Sequence, residues 1–288
     1  MMKKSILLRN LLKQDGLLVA PGASSALLGK MVEIMGYKVV YATGAGIANM
    51  QFGVPDLGLV TMTEILETVK RINDATSLPV IADIDNGYGN ALNVYRTVKE
   101  FSGAGIAALQ LEDQQLPKRC GHFNGKAIIS QEEMVAKIKA AKDALQDPDV
   151  MLIARTDAIA VNGLDDALER GAAYVEAGAD ILFVEAPTDI EQMRKITGAI
   201  KTYHIANMVE GGKTPILPNR QMEEIGFKIA LYANAPLKAA VKGAKDLLSH
   251  LQEHGTTADC EHLMISMKER NEITGFAAMD ELDKKYKS

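Results

Sequence analysis

Residues 150–185 read VMLIARTDAIAVNGLDDALERGAAYVEAGADILFVE, and the fold is decided there. The stretch opens on an apolar run at 150–154, crosses a polar joint and a helical segment, and closes on a second apolar run at 180–184. Gly178 follows the helical segment, where a C-terminal cap in the left-handed conformation belongs. Apart from Asp180 at the head of the second, both runs are apolar rather than alternating, which suits strands buried on two faces of a parallel sheet. The unit reads as strand, helix, strand.

The same unit recurs along the chain. Apolar or β-branched runs stand at 16–20, 38–42, 79–83, 106–111, 150–154, 180–184, 204–207 and 228–232. Helical segments separate them. Ser130 followed by Glu133 carries a capping-box signature for a helix running to about Leu145, and Gly36 caps another helix before the second run. Eight such units without a Gly-x-Gly-x-x-Gly phosphate loop favour a closed (β/α)8 barrel of the TIM type over a doubly wound sheet. The fold class expected is therefore α/β, one barrel domain over 1–288. Residues 256–288 form a C-terminal helical extension in which Leu263, Met264 and Met267 are spaced for one apolar face. That extension must pack on its own barrel or on a neighbouring subunit.

Composition narrows the function. With 288 residues, 47% of them hydrophobic, the chain buries one large core. A net charge of −5 leaves no broad basic surface, which argues against nucleic acid. No stretch has the length and apolarity of a membrane span, and the start shows no signal-peptide core. Two cysteines, Cys120 and Cys260, are too few for a disulfide scaffold, so a cytoplasmic setting is expected. Aromatic residues are scarce, which speaks against stacking on large planar ligands.

Polar residues gather where the runs end. Thr43 and Gly44 follow the second run; Asp83 and Asp85 end the third; Glu112 and Asp113 end the fourth. Arg155 and Asp157 end the fifth, Glu185 the sixth, Asn207 and Glu210 the seventh, and Asn234 follows the eighth. In a TIM barrel all of these are expected at the C-terminal rim, where active sites lie. Taken singly, each acidic residue could be no more than a helix N-cap. Asp83, Asp85 and Glu112 together suggest an oxygen-lined site for Mg²⁺ or Mn²⁺, because converging carboxylates repel unless a cation offsets them. The alternative is an ion-pair network with Arg155 and Lys118. Zinc is disfavoured by the lack of paired Cys or His spacings. Cys120 stands between Lys118, Arg119 and His122, and nearby positive charge makes a thiol a useful proton donor near neutral pH. An inert buried cysteine is the plainer reading, and it is the one expected for Cys260. His204, inside an apolar run, reads as structural.

At these residues the chain resembles the isocitrate lyase/phosphoenolpyruvate mutase superfamily over nearly its whole length. The resemblance rests on Tyr41-Ala-Thr-Gly-Ala-Gly46, Gly53-Val-Pro-Asp-Leu-Gly58, Asp83-Ile-Asp-Asn-Gly-Tyr-Gly89 and Leu111-Glu-Asp-Gln114. It continues through Lys118-Arg-Cys-Gly-His122, Ala154-Arg-Thr-Asp157, Val184-Glu-Ala186 and Ala206-Asn-Met-Val-Glu-Gly-Gly-Lys-Thr-Pro215. It implies Asp85 as the main Mg²⁺ ligand, with Asp83 and Glu112 acting directly or through water. It implies that Thr43, Gly44 and Ala45 hold a 2-oxo-acid carboxylate, with Asp56 and Gly121 bordering it and Arg155 neutralising substrate oxygens. Lys118 and Cys120 would lie on a gating loop supported by His122, while Glu185 and Asn207 orient the distal part of the substrate. A homotetramer that exchanges C-terminal helices is implied as well.

The implied activity is Mg²⁺-dependent retro-aldol cleavage of a small 2-hydroxy dicarboxylate by an oxo-acid lyase, with Cys120 as proton donor. The loop 207–215 resembles the branch acting on 2,3-dimethylmalate, and Tyr232-Ala-Asn-Ala235 with Lys238 departs from the 2-methylisocitrate pattern. The expected order is 2,3-dimethylmalate first, 2-methylisocitrate second and oxaloacetate hydrolysis third. Phosphonomutase chemistry of the carboxyphosphonoenolpyruvate type is the alternative reaction class.

Overall fold

The computed structural model describes residues 2–118 and 125–287. Its centre is a closed barrel of eight parallel strands in sequence order: β1 (Leu18–Ala23), β2 (Val40–Ala42), β3 (Val80–Asp83), β4 (Ala108–Glu112), β5 (Met151–Thr156), β6 (Ile181–Val184), β7 (Tyr203–Asn207) and β8 (Ile229–Tyr232). Closure comes from β1 pairing with β8, with Leu18 beside Ile229 and Pro21 beside Tyr232. All eight runs expected from the sequence are strands. β1 is displaced the most, reaching Ala23 because Gly22 and Ala23 still pair with Tyr41 and Ala42, and β4 and β5 also run one or two residues further than expected. Gly22 is required at that point: a Cβ there would lie 1.7 Å from the Ala233 carbonyl oxygen.

Alternate residues of a strand face opposite sides, and here both sides are buried. Ala20, Tyr41, Ile81, Ile153, Phe183, Ile205 and Leu231 fill the barrel interior. Val40, Ala82, Leu109, Leu152 and Ala154 pack outward against the surrounding helices. A strand buried on both faces carries no polar alternation, which is why the runs read as continuous. The helix Lys4–Lys13 contributes Leu8 and Leu12, both buried, to the interior cluster beside Val39 and Ala107 at the starts of their strands. It stoppers the end of the barrel opposite the rim.

The helix ends follow their local chemistry. Gly36 and Gly178 take positive φ values of 84° and 115°, as expected of caps. Ser130 accepts the Glu133 amide at 3.1 Å and opens the helix Gln131–Ala144. Complete reciprocal capping boxes stand at Thr61 with Glu64, Asn90 with Asn93 and Ser266 with Glu269.

The C-terminal extension differs from expectation. Leu263 ends a short 3-10 turn (Glu261–Leu263), Met264 is extended, and Met267 begins a new helix, Met267–Thr274. The three residues therefore share no helical face; Ser266, capping the new helix, breaks the periodicity. Cys260 is buried beside the Thr257 carbonyl, as the plain reading had it. His204 is buried too, with Nε2 2.8 Å from the Ile200 carbonyl oxygen. Among the described residues no helix is long and apolar enough to cross a membrane.

Leu8→Ala would empty a fully buried position at the barrel's stoppered end. A loss of about 2–5 kcal/mol is expected, as for other large-to-small core changes, read from urea unfolding at constant slope.

Candidate active site

The inward positions at the strand ends are the polar ones. Counting by twos from interior Ile81, Ile153, Phe183 and Ile205 reaches Asp83, Arg155, Glu185 and Asn207. Tyr41, Asp83, Glu112, Arg155, Glu185 and Asn207 line one cavity at the barrel mouth, of about 50 Å³, together with Thr43, Ala45, Asp56 and Lys118. Residues at the ends of six strands and in the connections beyond them thus converge. Phe183, Val209, Leu231 and Ala233 give the same cavity an apolar wall. Sequence reasoning did not single these out, because continuous apolar runs do not show which residues face inward. Cys120, Gly121 and His122 lie outside the described residues.

Three expectations need correction, one of them Asp157, which is fully buried against Arg155 and lines no part of the cavity. Asp113 does not reach the rim. It follows Glu112 in the chain, so the pleat turns it to the opposite face, where it accepts Thr156 Oγ1 at 2.7 Å, the Asp157 amide at 3.0 Å and Tyr174 Oη at 2.9 Å. Glu210 is half out in solvent, paired with Lys238 at 3.0 Å.

The turn after β3 positions the carboxylates. The Asp85 amide donates to Asp83 Oδ1 at 3.1 Å, and the Asp85 carbonyl accepts the Glu112 amide at 2.9 Å. Asp85 itself takes φ of 49°, a left-handed conformation that costs an ordinary residue about 1–2 kcal/mol. Gly44 opens the helix Gly44–Phe52 in close approach to both acids: a Cβ there would stand 3.1 Å from Asp83 Oδ2 and 3.3 Å from Asp85 Oδ1. Thr43 caps this helix through Gly46 N at 3.1 Å and donates to Asn234 Oδ1 at 3.2 Å. The first amides of the helix are thereby presented at the mouth, where they suit an anion.

Two buried cations organise the acids. Lys118 Nζ stands 2.5 Å from Asp56 Oδ1 and 2.6 Å from Asp85 Oδ1. The second contact is ionic in character, because Asp85 Oδ1 has no hydrogen bond of ordinary geometry. Arg155 reaches Asp157 at 2.9 Å, Glu185 at 3.2 Å and Glu112 at 3.4 Å, and its guanidinium lies 5.1 Å from the Phe183 ring centre. Asn207 Nδ2 donates to Glu185 at 3.3 Å. Lys126 meets Asp157 at 2.7 Å. The ion-pair network weighed against a metal site is therefore present, yet it does not balance. Asp56, Asp83, Asp85, Glu112, Asp157 and Glu185 face only Lys118, Arg155 and Lys126 among the described residues.

The titration behaviour shows the imbalance. Burial raises Asp85 to about 6, more than Lys118 can offset. Burial also pushes Glu112 well above the usual carboxylate range, against the pull of Arg155 and Lys118. For Lys118 burial favours loss of the proton, but Asp85, Asp56, Glu112 and Asp83 outweigh it and keep the ammonium. Glu112 Oε1 is buried with no hydrogen-bond partner. Surplus carboxylates and an orphaned carboxylate oxygen fit a hard divalent cation. Among the described residues no three acidic, histidine or cysteine groups could hold a metal ion by themselves. One or two carboxylates completed by water or substrate is the usual Mg²⁺ arrangement.

Asp157 behaves oppositely. Burial works against its charge, yet Arg155 and Lys126 prevail and hold the carboxyl at about 2. A carboxyl depressed on folding stabilises above its unfolded pKa, and that contribution is lost as pH falls through the folded value. Asp157→Asn should therefore cost about 2 kcal/mol at pH 7. The cost should shrink between about pH 4 and pH 2, as read from urea midpoints of both proteins across that range.

Comparison with known proteins agrees with this geometry. The family model described as phosphoenolpyruvate phosphomutase matches residues 8–252. A 2,3-dimethylmalate lyase from Eubacterium barkeri is 47% identical over 279 residues, 97% of this chain and 96% of that protein. A 2-methylisocitrate lyase from Aeropyrum pernix is 40% identical, covering 98% of this chain and 90% of its own. Oxaloacetate acetylhydrolase, solved with the inhibitor 3,3-difluorooxalacetate, superposes with a TM-score of 0.94 at 32% identity, covering 99% and 98% of the two chains. Phosphonopyruvate hydrolase, solved with oxalate and Mg²⁺, gives 0.90 at 29% identity over the full length of both. A model match over most of the chain and near full-length relatives above 30% identity carry the same conclusion as the eight-stranded barrel and its acidic mouth: the chain belongs to the PEP mutase/isocitrate lyase superfamily.

Proposed function

We propose that this protein is a Mg²⁺-dependent carbon–carbon lyase that cleaves 2,3-dimethylmalate to pyruvate and propionate. The observation that carries the reading is the mixed lining of the cavity. Surplus carboxylates, Arg155 and Lys118 share it with Phe183, Val209, Leu231 and Ala233. A dicarboxylate with methyl substituents matches both kinds of lining. A third carboxylate, as in 2-methylisocitrate, would look for a cation near the mouth, and Lys238 is already engaged by Glu210. The full-length likeness to a 2,3-dimethylmalate lyase supports the same choice.

Asp85 would be the main ligand of Mg²⁺, with Asp83 and Glu112 acting directly or through water, and Mn²⁺ is the other hard cation of suitable chemistry. Bound there, the ion would supply charge stabilisation for substrate oxygens and favour ionisation of the C2 hydroxyl. Thr43, Gly44 and Ala45 would receive the C1 carboxylate at the helix N-terminus, bordered by Asp56 and Gly121. Arg155 and Lys118 would offset negative charge as the C2–C3 bond breaks and its electron pair moves to C3. Preorganised charges in a dry cleft are worth most at such a step. Cys120, supported by His122, would deliver its thiol proton to C3 to complete propionate, while the hydroxyl proton is lost and C2 becomes the keto carbon of pyruvate. Glu185 and Asn207 would orient the distal carboxylate. A cytosolic homotetramer is inferred with this activity. The exposed Met267, Phe276 and Met279 of the C-terminal helices give subunits an apolar surface to share. Light scattering should then return four chains, and a monomer would remove that part of the proposal.

The activity test is pyruvate release from 2,3-dimethylmalate beside 2-methylisocitrate, oxaloacetate and phosphonopyruvate. Dimethylmalate should be fastest, EDTA should abolish the signal, and Cys120→Ser should lower kcat by about 10²–10⁴-fold. Turnover of the phosphonate alone would move the chain to phosphoryl chemistry.

A further inference from the structure

Asp157 is fully buried and is not part of the cavity wall, yet it grips the residue that is. Its Oδ2 accepts Arg155 Nε at 2.9 Å and its Oδ1 accepts Arg155 Nη2 at 3.2 Å. Two parallel bonds fix the plane of a guanidinium, whereas one leaves it free to pivot. The grip is itself anchored. The Asp157 amide donates to Asp113 Oδ1 at 3.0 Å, and Asp113 is held by Thr156 and Tyr174. This explains an otherwise unused cluster of polar groups between β5 and the helix Leu164–Glu176.

Two other carboxylates compete for the same arginine. Glu185 lies 3.2 Å from Nη2, and Glu112 lies 3.4 Å from Nε, both on the cavity side. Without Asp157 the guanidinium would turn toward them and be neutralised there. A carboxylate that orients an arginine also cancels its charge, however. Lys126, 2.7 Å from Asp157 Oδ1, offsets that cancellation. Within the trio of Arg155, Asp157 and Lys126, the second cation offsets the carboxylate that orients the arginine.

We propose that Asp157 is a positioning residue that sets the plane of Arg155, with Lys126 preserving the arginine's charge toward the bound anion. This rests on the reading of the cavity as a dicarboxylate site. It predicts that Asp157 and Arg155 act as one unit, so that their losses do not add.

The test uses the full-length protein with Mg²⁺ and two readouts, oxalate binding by calorimetry and pyruvate release. In Arg155→Ala both should fall at least tenfold. Millimolar guanidinium should restore either signal severalfold, because the Asp157 carboxylate still forms a socket for the free ion. In Arg155→Ala/Asp157→Asn the restoration should vanish, and the double variant should be no worse than Arg155→Ala alone. Asp157→Asn leaves Lys126 without this carboxylate and could impair folding, so the series is repeated with Lys126→Met added, which removes both charges together. Equal restoration with and without Asp157, no restoration in either, or additive losses would overturn the proposal. If no acid yields pyruvate but the oxalate pattern holds, the lyase reading fails and the positioning role stands.

Discussion

The mouth of this barrel depends on a buried excess of negative charge. Carboxylates taken out of water cost several kcal/mol each unless they are paired, and pairing repays that cost only with good geometry. Among the described residues six acids lean on three cations, and burial disfavours the ionised forms of Asp85 and Glu112. Apart from Asp157, which Arg155 and Lys126 hold ionised, such an arrangement does not help the chain fold. It makes sense as a site held ready for a cation and a polar ligand, with its stability supplied elsewhere. The supply is the continuous apolar packing on both faces of the eight strands.

Other costs gather at the same place. Asp85, Tyr88 and Ala186 adopt positive φ without being glycine, and all three lie in turns just beyond strand ends. Left-handed backbone at a non-glycine residue persists only where the surroundings over-determine it, and such positions cluster at functional sites. The turn after β3 is over-determined in just this way. The Asp85 amide is tied to Asp83, its carbonyl to the Glu112 amide, and the Lys137 ammonium bonds the Asn86 carbonyl from behind. The strain aims two carboxylates at the helix end beginning with Gly44, whose missing Cβ leaves room for them.

The cations divide the labour. Lys118 is a flexible stem joining two loops, bridging Asp56 and Asp85. Arg155 stands on a strand, stacked on Phe183 and gripped at two points, so its orientation is rigid. A compact charge on a flexible stem suits a contact that must change, and a planar fork on a strand suits one that must stay. The apolar lining residues Phe183 and Leu231 come from the same alternation that fills the barrel.

Much of this was legible in the chain. Eight apolar runs separated by helical segments specify a parallel barrel, because only strands buried on two faces lose their polar alternation. The polar residue types at the ends of those runs mark the rim, because a parallel barrel puts every strand end on one side. What the chain could not show was which of two neighbours faces inward and which distant groups meet. Glu112 and Asp113 look alike in sequence, and only the pleat of β4 sends one into the mouth and the other behind it. Leu263, Met264 and Met267 look like one helical face until the Ser266 cap restarts the helix. Sequence alone determined the architecture and the chemical inventory, since both follow from local periodicity and residue type. Tertiary structure alone decided the partnerships of Lys118 with Asp56 and of Lys126 with Asp157, since ion pairing depends on distances that barrel closure sets between remote segments.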